Sequence, residues 1–221
     1  MMQSMARLPD RIRRAGITVL IGSLISFLPG TAPGVHAETA LSKGKLLVAS
    51  RELNDPNFQR TVILLTRYSE QGATGLVINR PVAVLPEHVL PEVRGLAYYR
   101  GPLFLGGPVE TQNILFLIRT ATAPTPGRHV FGQTYLSGSR TLLDALSQEA
   151  MDASRLRVFA GYAGWAPGQL EQEILRGGWH VVPATEELVV SEAPESVWEM
   201  LVPLPRPITA GLTRVLLAMA P

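Results

Sequence analysis

The strongest constraint on the fold is a pair of apolar, β-branched runs. TVILLTRY (Thr61 to Tyr68) and GLVIN (Gly75 to Asn79) are separated only by SEQGAT. Both read as buried strands, and a short glycine-containing link between two strands makes a hairpin. KLLVAS (Lys45 to Ser50) adds an apolar strand upstream. Between it and the hairpin, Asn54-Asp55-Pro56-Asn57 turns the chain, because proline fixes φ while Asp and Asn accept local backbone hydrogen bonds. Further strands are expected at Pro102 to Leu105, Asn113 to Thr120, Leu156 to Tyr162 and Trp179 to Val182, with another ending at Thr134 to Leu136. Pro86 and Pro91 bracket Glu87 to Leu90, which leaves room for one helical turn. Ser139 caps a helix whose Leu142, Leu143, Leu146 and Ala150 fall at helical spacing. A second helix opens at Pro167 or Gly168, with Leu170, Ile174 and Leu175 inward, and Gly177-Gly178 ends it. Ala193 to Val202 is the last helix. Strands come first and helices then alternate with strands, which predicts an α/β protein, an α+β mixed sheet in a single domain.

The N-terminus is organised differently. Arg7, Arg11, Arg13 and Arg14 precede an uncharged run, Ala15 to Leu28, that Pro29-Gly30 breaks. Val35-His36-Ala37 then places small residues at the −3 and −1 positions of a cleavage site, in the order of a signal peptide. The run of 14 residues is short of the roughly 18 a bilayer-spanning helix needs, so cleavage is expected and no stable transmembrane anchor. The expected division is a signal peptide over 1–37, one domain over 38–205 and a C-terminal tail over 206–221. The expected location is periplasmic or otherwise extracytoplasmic; a cytoplasmic protein with a misassigned start is the alternative.

This division changes the charge argument. The chain has 20 basic and 18 acidic residues, of which residues 1–37 hold four and one, leaving 16 against 17. A nearly neutral domain lacks the basic stripe that neutralises phosphates, so no nucleic acid is expected as a partner. Beyond residue 37 there remain 184 residues, enough to bury about 70% of the unfolded surface without staples. The absence of cysteine excludes disulfides, thiolate zinc sites and cysteine nucleophiles.

Motifs for chemistry are sparse. His88, His129 and His180 have no i, i+3 or i, i+4 partner, so no metal site is expected. Leu136-Ser137-Gly138-Ser139 only superficially resembles a nucleophile elbow, and capping already explains Ser139. Gly106-Gly107-Pro108 follows a strand, but no lysine follows it; a tight turn with close backbone approach is the plainer reading. Glu171 and Glu173 lie two apart on a helix and do not face each other. Gly161-Tyr162-Ala163-Gly164-Trp165 reads as a packed strand–helix corner, or else as the floor of a small-molecule pocket. Arg80 either pairs with Asp55 to close the domain or clamps an anion.

Taken together, these segments resemble the YqgE/AlgH family of bacterial proteins. The likeness runs from LSKGKLLVAS at Leu41 through Asn54 to Phe58, RTVILL and SEQGATGLVINRP. It resumes at Leu105-Gly106-Gly107-Pro108-Val109, at GYAGWAPGQLEQEI (Gly161 to Ile174) and at GGWHVVPA (Gly177 to Ala184). The resemblance implies a bent, branching sheet that forms a pseudo-barrel flanked by helices. It implies no established catalytic residue and no cofactor. Three features depart from the family pattern: the N-terminal signal, Arg67-Tyr68, where an acidic residue and a histidine are common, and the short, proline-interrupted stretch from Pro86 to Arg100. The leading expectation is a non-enzymatic binding or accessory protein of the cell envelope, with an unknown protein or small molecule as partner. Its candidate ligand-binding surface combines Asp55, Asn57, Phe58, Asn79, Arg80, Gly106, Gly107, Tyr162, Trp165, Gln169 and Glu171, groups at turns and strand ends where sites gather. One alternative is a hydrolase using carboxylates such as Asp55, or Ser137. The other is a cytosolic regulator carrying the family's transcriptional-regulator label.

Overall fold

The hairpin forms, and lies in the middle of a ten-stranded sheet, in the computed structural model, which describes residues 40–146 and 152–204. β1 (Lys45–Ala49), β2 (Val62–Ser69) and β3 (Gly72–Val77) pair antiparallel in succession. The link is tighter than expected: Gly72, Ala73 and Thr74 already belong to the ladder, so Glu70 and Gln71 alone make the turn. The remaining strands are β4 (Pro81–Val82), β5 (Leu103–Leu105), β6 (Val109–Arg119), β7 (Arg128–Phe131), β8 (Thr134–Ser137), β9 (Leu156–Trp165) and β10 (Trp179–Pro183). The helices are α1 (Pro86–Val89), α2 (Arg140–Leu146), α3 (Gln169–Leu175), α4 (Glu186–Val189) and α5 (Val197–Leu201). No helix among the described residues is long and apolar enough to cross a membrane. The expected signal segment, Ala150 and the expected C-terminal tail lie outside the described residues.

The sheet runs β10-β1-β2-β3-β9-β6-β8-β7 and branches at β9. One edge of β9 pairs with β6; the other meets β5 in parallel at Val158 to Ala160 and β3 antiparallel at Ala163 to Trp165. The two ends of the path share no ladder, so the sheet is not closed. It nevertheless bends far enough for side chains to bridge its ends. Lys43, just before β1, donates to the His129 carbonyl of β7 at 3.1 Å. The Gln133 N–H, after β7, donates to Glu186 of α4 at 3.2 Å.

Alternation along β6 and β9 explains how one sheet carries two cores. Successive side chains of a strand point to opposite faces. Leu115, Leu117 and Phe159 join Leu46, Ile63, Leu64 and Trp198 in the larger cluster. Their neighbours Phe116, Ile118 and Val158 join Leu96, Leu142 and Leu143 beneath α1 and α2. β1 after Lys45 and the first half of β2 are buried throughout, which is why they read as continuous apolar runs. The Trp198 indole N–H of α5 donates to the Ala49 carbonyl at 2.8 Å and fixes that helix to β1.

Three expectations need correction. Leu175 is 80% exposed: Leu170 and Ile174, four apart, share the inward face of α3, and the next residue has rotated away. The GYAGW stretch is not a corner beyond a strand; β9 continues through it to Trp165, with Gly161 at φ +70° inside the strand. β7 and α4 were not anticipated, because Arg128 to Phe131 is short and half polar and α4 is a single turn.

Arg157 is buried between the β5–β9 pair and the chain after α4. Its guanidinium donates to the carbonyls of Ile78 and Ser191, lies 4.7 Å from the Phe104 ring centroid, and leaves Nε without a partner. Burial lowers its pKa to about 10, so the fold holds this charge against a desolvation penalty. Arg157→Met keeps most of the volume and removes the buried charge. It is expected to destabilise the chain by about half as much as Arg157→Ala, which adds a cavity term of ~2 kcal/mol. Urea midpoints of the two variants check this.

Candidate functional site

The expected surface residues divide among four places. The first is the corner formed by the β1–β2 connection, the end of β9 and α3. There the Asp55 carboxylate accepts the Asn57 N–H at 2.8 Å, and the Asp55 carbonyl accepts from Phe58 and Gln59 at 2.9 and 2.8 Å. This is a self-satisfied Asx turn, as the Asp-Pro-Asn sequence dictates. It sets Phe58 against Trp165, with stacked centroids 6.2 Å apart, and edge-on to Trp179 at 5.8 Å. Both indoles are buried, and both N–H groups donate to Glu173 Oε2 at 2.9 Å. Gln169 donates to Glu173 Oε1 at 2.9 Å and accepts the Ala166 N–H at 3.1 Å. Beside these rings lies a cleft of about 300 Å³ whose wall includes Ser50, Glu52, Asp55 and Arg176. The buried Ser50 hydroxyl in that wall has no hydrogen-bond partner.

Asn79 and Arg80 hold the same connection from below. The Asn79 amide accepts from Val62 N–H at 2.8 Å and donates to the Arg60 carbonyl at 2.9 Å. Arg80 donates to the carbonyls of Asn57 and Gln59. The expected Asp55–Arg80 pair is therefore not a hydrogen-bonded one. Burial lowers the Arg80 pKa, Asp55 opposes that through its charge, and the donors go to backbone carbonyls.

The second place is the β5–β6 link. Gly106 N–H donates to the Ala160 carbonyl and its carbonyl accepts from Val77 N–H, both at 2.9 Å, while Gly107 lies against the backbone of Tyr162. The third is the outer face of α3, where Glu171 accepts the Tyr68 hydroxyl at 2.6 Å and so raises its pKa. Glu171 and Glu173 thus serve different partners, as their spacing predicted.

Ser137 is buried; its hydroxyl donates to the Pro126 carbonyl at 2.7 Å and accepts the Ser139 N–H at 3.2 Å. His129 Nε2 is engaged with the Gly132 carbonyl at 3.0 Å. Among the described residues no cluster of three or more His, Asp or Glu side chains is placed to hold a metal ion.

A further cleft, of about 210 Å³, opens between β2, β3, β6, β7, β8 and β9. Arg67 and Arg128 line it with Thr66, Thr74 and Glu110, and Tyr162 is the one expected site residue it contains. Arg67 was visible in the sequence only as a departure from the family pattern. Arg128 gave no signal, because its strand was not recognised.

A bent, branched mixed sheet with short flanking helices defines the class of this protein. A family model described as AlgH-like matches residues 46–204, and the chain belongs to that family. It is 38% identical over 164 residues to a UPF0301 protein of Streptomyces coelicolor, covering 73% of this chain and 85% of the relative. A UPF0301 protein of Chlorobium limicola is 34% identical over 159 residues, covering 72% and 83%. Among solved structures, the AlgH protein of Pseudomonas aeruginosa superposes with a TM-score of 0.59 at 27% identity, covering 80% of this chain and 93% of that one. A Corynebacterium diphtheriae protein superposes with a TM-score of 0.63 at 26% identity, covering 76% and 90%. The names of these proteins state no reaction and no ligand.

Proposed function

We propose that the chain is a non-enzymatic binding or accessory protein that works in the cell envelope. The observation that carries this reading is the state of its reactive side chains. Ser137 Oγ, Glu171, Glu173 and Asp55 each make hydrogen bonds that build the fold, and a nucleophile needs a base within hydrogen-bond reach rather than a carbonyl to donate to. This disfavours the hydrolase alternative. Open clefts beside ordered turns and strand ends are what a binding protein needs. The envelope location rests on the arginine-rich start, the apolar run and the small residues before Glu38.

The test joins location to activity. The full chain, fused at its C-terminus to a phosphatase that matures only outside the cytoplasm, is expected to give an active reporter. The recovered protein is expected to begin at Glu38. Reporter activity confined to a cytoplasm-dependent fusion would remove the envelope from the proposal. A hydrolytic activity abolished by Ser137→Ala in a folded protein would replace it with the enzyme reading.

A further inference from the structure

Three interruptions of the strand ladders surround the Arg67–Arg128 cleft. The register of β2 against β3 slips between Leu65 and Arg67, so Thr66 is a bulge residue. That of β6 against β9 slips between Val109 and Ile114, and that of β7 against β8 between His129 and Phe131. Bulges break the strict alternation of side chains, re-aim them, and gather beside sites. Here they explain how the adjacent residues Thr66 and Arg67 both line one cleft, with Glu110 and Asn113 from the second break and Arg128 from the start of the third strand. Glu110 sits at φ +49°, a left-handed conformation that costs a non-glycine residue about 1–3 kcal/mol and that clusters at functional sites.

The charges in this cleft are unbalanced. Among the described residues, neither the Arg67 nor the Arg128 guanidinium makes a hydrogen bond or an ion pair. Arg119 and Arg140, by contrast, are each met by a glutamate. Glu110, the cleft's own carboxylate, is engaged by the Asn113 amide. Lost hydration and then the like charge of Arg67 hold the Arg128 pKa below the usual arginine value. An anion between the two guanidinium groups would relieve both effects. Two planar forks match the oxygens of a phosphate or carboxylate. Leu115, Leu136 and Tyr162 give the wall an apolar part, and the hydroxyls of Thr66 and Thr74 beside it are hydrogen-bonded to each other. The volume of about 210 Å³ is below the ~300–1,000 Å³ of pockets for drug-sized ligands, which suits a small molecule.

We propose that this cleft binds a small free organic oxyanion, an aryl- or alkyl-phosphate or carboxylate, with the anionic group between Arg67 and Arg128 and the apolar body on Tyr162, Leu115 and Leu136. The proposal rests on the reading of the chain as a binding protein, but it fails separately. Loss of export leaves the cleft standing, and an empty cleft leaves the export result standing.

Calorimetric titration of the full chain at low salt with phenyl phosphate, benzoate, inorganic phosphate and benzyl alcohol tests it. At least one of the two aryl anions is expected to bind saturably, and the neutral alcohol is not. Arg67→Gln and Arg128→Gln, both at exposed positions, are each expected to weaken that binding about tenfold or more. Arg140→Gln, whose guanidinium meets Glu92 elsewhere on the surface, is expected to leave it unchanged. Failure of both aryl anions to saturate at millimolar concentration, or equal binding by the Arg67 and Arg128 variants with native circular dichroism, overturns the site. Equal affinity for inorganic phosphate overturns the role of the apolar wall.

Discussion

Replacing Gly107 with alanine is expected to lower stability by about 3 kcal/mol or more, or to prevent folding, through overpacking against a surface that cannot yield. A Cβ at this position would lie 2.2 Å from the Tyr162 carbonyl carbon, 2.3 Å from its oxygen and 2.4 Å from the Ala163 nitrogen. All three are backbone atoms of β9, the strand at which the sheet branches, so no rotamer change relieves the clash. Neighbouring Gly106 holds β3 and β9 together through its own N–H and carbonyl, and a displaced Gly107 would pull on that bridge as well. Gly168→Ala is the control. Gly168 has φ +75° but nothing within 4 Å of its missing Cβ, so its alanine variant carries only the left-handed backbone cost of about 1–2 kcal/mol. Urea denaturation of both variants measures the difference; equal losses would mean that close approach is not what requires glycine in the Gly-Gly-Pro motif.

Glu173→Ala is expected to lower stability by about 3 kcal/mol. It leaves the buried indole N–H groups of Trp165 and Trp179 without an acceptor, at about 1–3 kcal/mol for each unsatisfied donor. It also frees Gln169, which holds the first turn of α3. Glu173→Gln keeps one carbonyl oxygen for the indoles but turns a donor toward the Gln169 amide, so an intermediate loss is expected. Because Phe58 stacks on Trp165, the alanine variant should also shift tryptophan fluorescence and loosen the Asn54 to Asn57 turn. A Glu173→Ala protein as stable as the wild type would show that water replaces the carboxylate at the two indoles.

These two residues also show where sequence reading succeeds and where it stops. The close backbone approach at Gly106-Gly107 was legible, because glycine before proline after a strand has few other uses. The separation of Glu171 from Glu173 followed from helical geometry alone. The role of Glu173 was not legible: its partners lie on β9 and β10, and nothing local marks a glutamate as the acceptor for two indoles. Arg80 read as a partner of Asp55 or an anion clamp, yet its targets are the main-chain carbonyls of Asn57 and Gln59, which carry no sequence signature. Ser137, named only in the alternative hydrolase reading, donates to the Pro126 carbonyl, a contact that no local sequence pattern announces. The Arg67–Arg128 cleft was the least visible feature. Its members come from strands distant in sequence, and bulges that break the period-2 pattern bring them together.

The sequence by itself determined the hairpin, the other principal strands and the helices α2, α3 and α5, because apolar period, turn chemistry and capping are local properties of the chain, and its ordered segments carried the family resemblance. Only the tertiary structure decided that the sheet branches at β9 and stays open, which side chains the fold itself occupies, and which arginines share a cleft. Those outcomes depend on strand register and on contacts between residues far apart in the chain, and a one-residue bulge is enough to change which face a side chain meets.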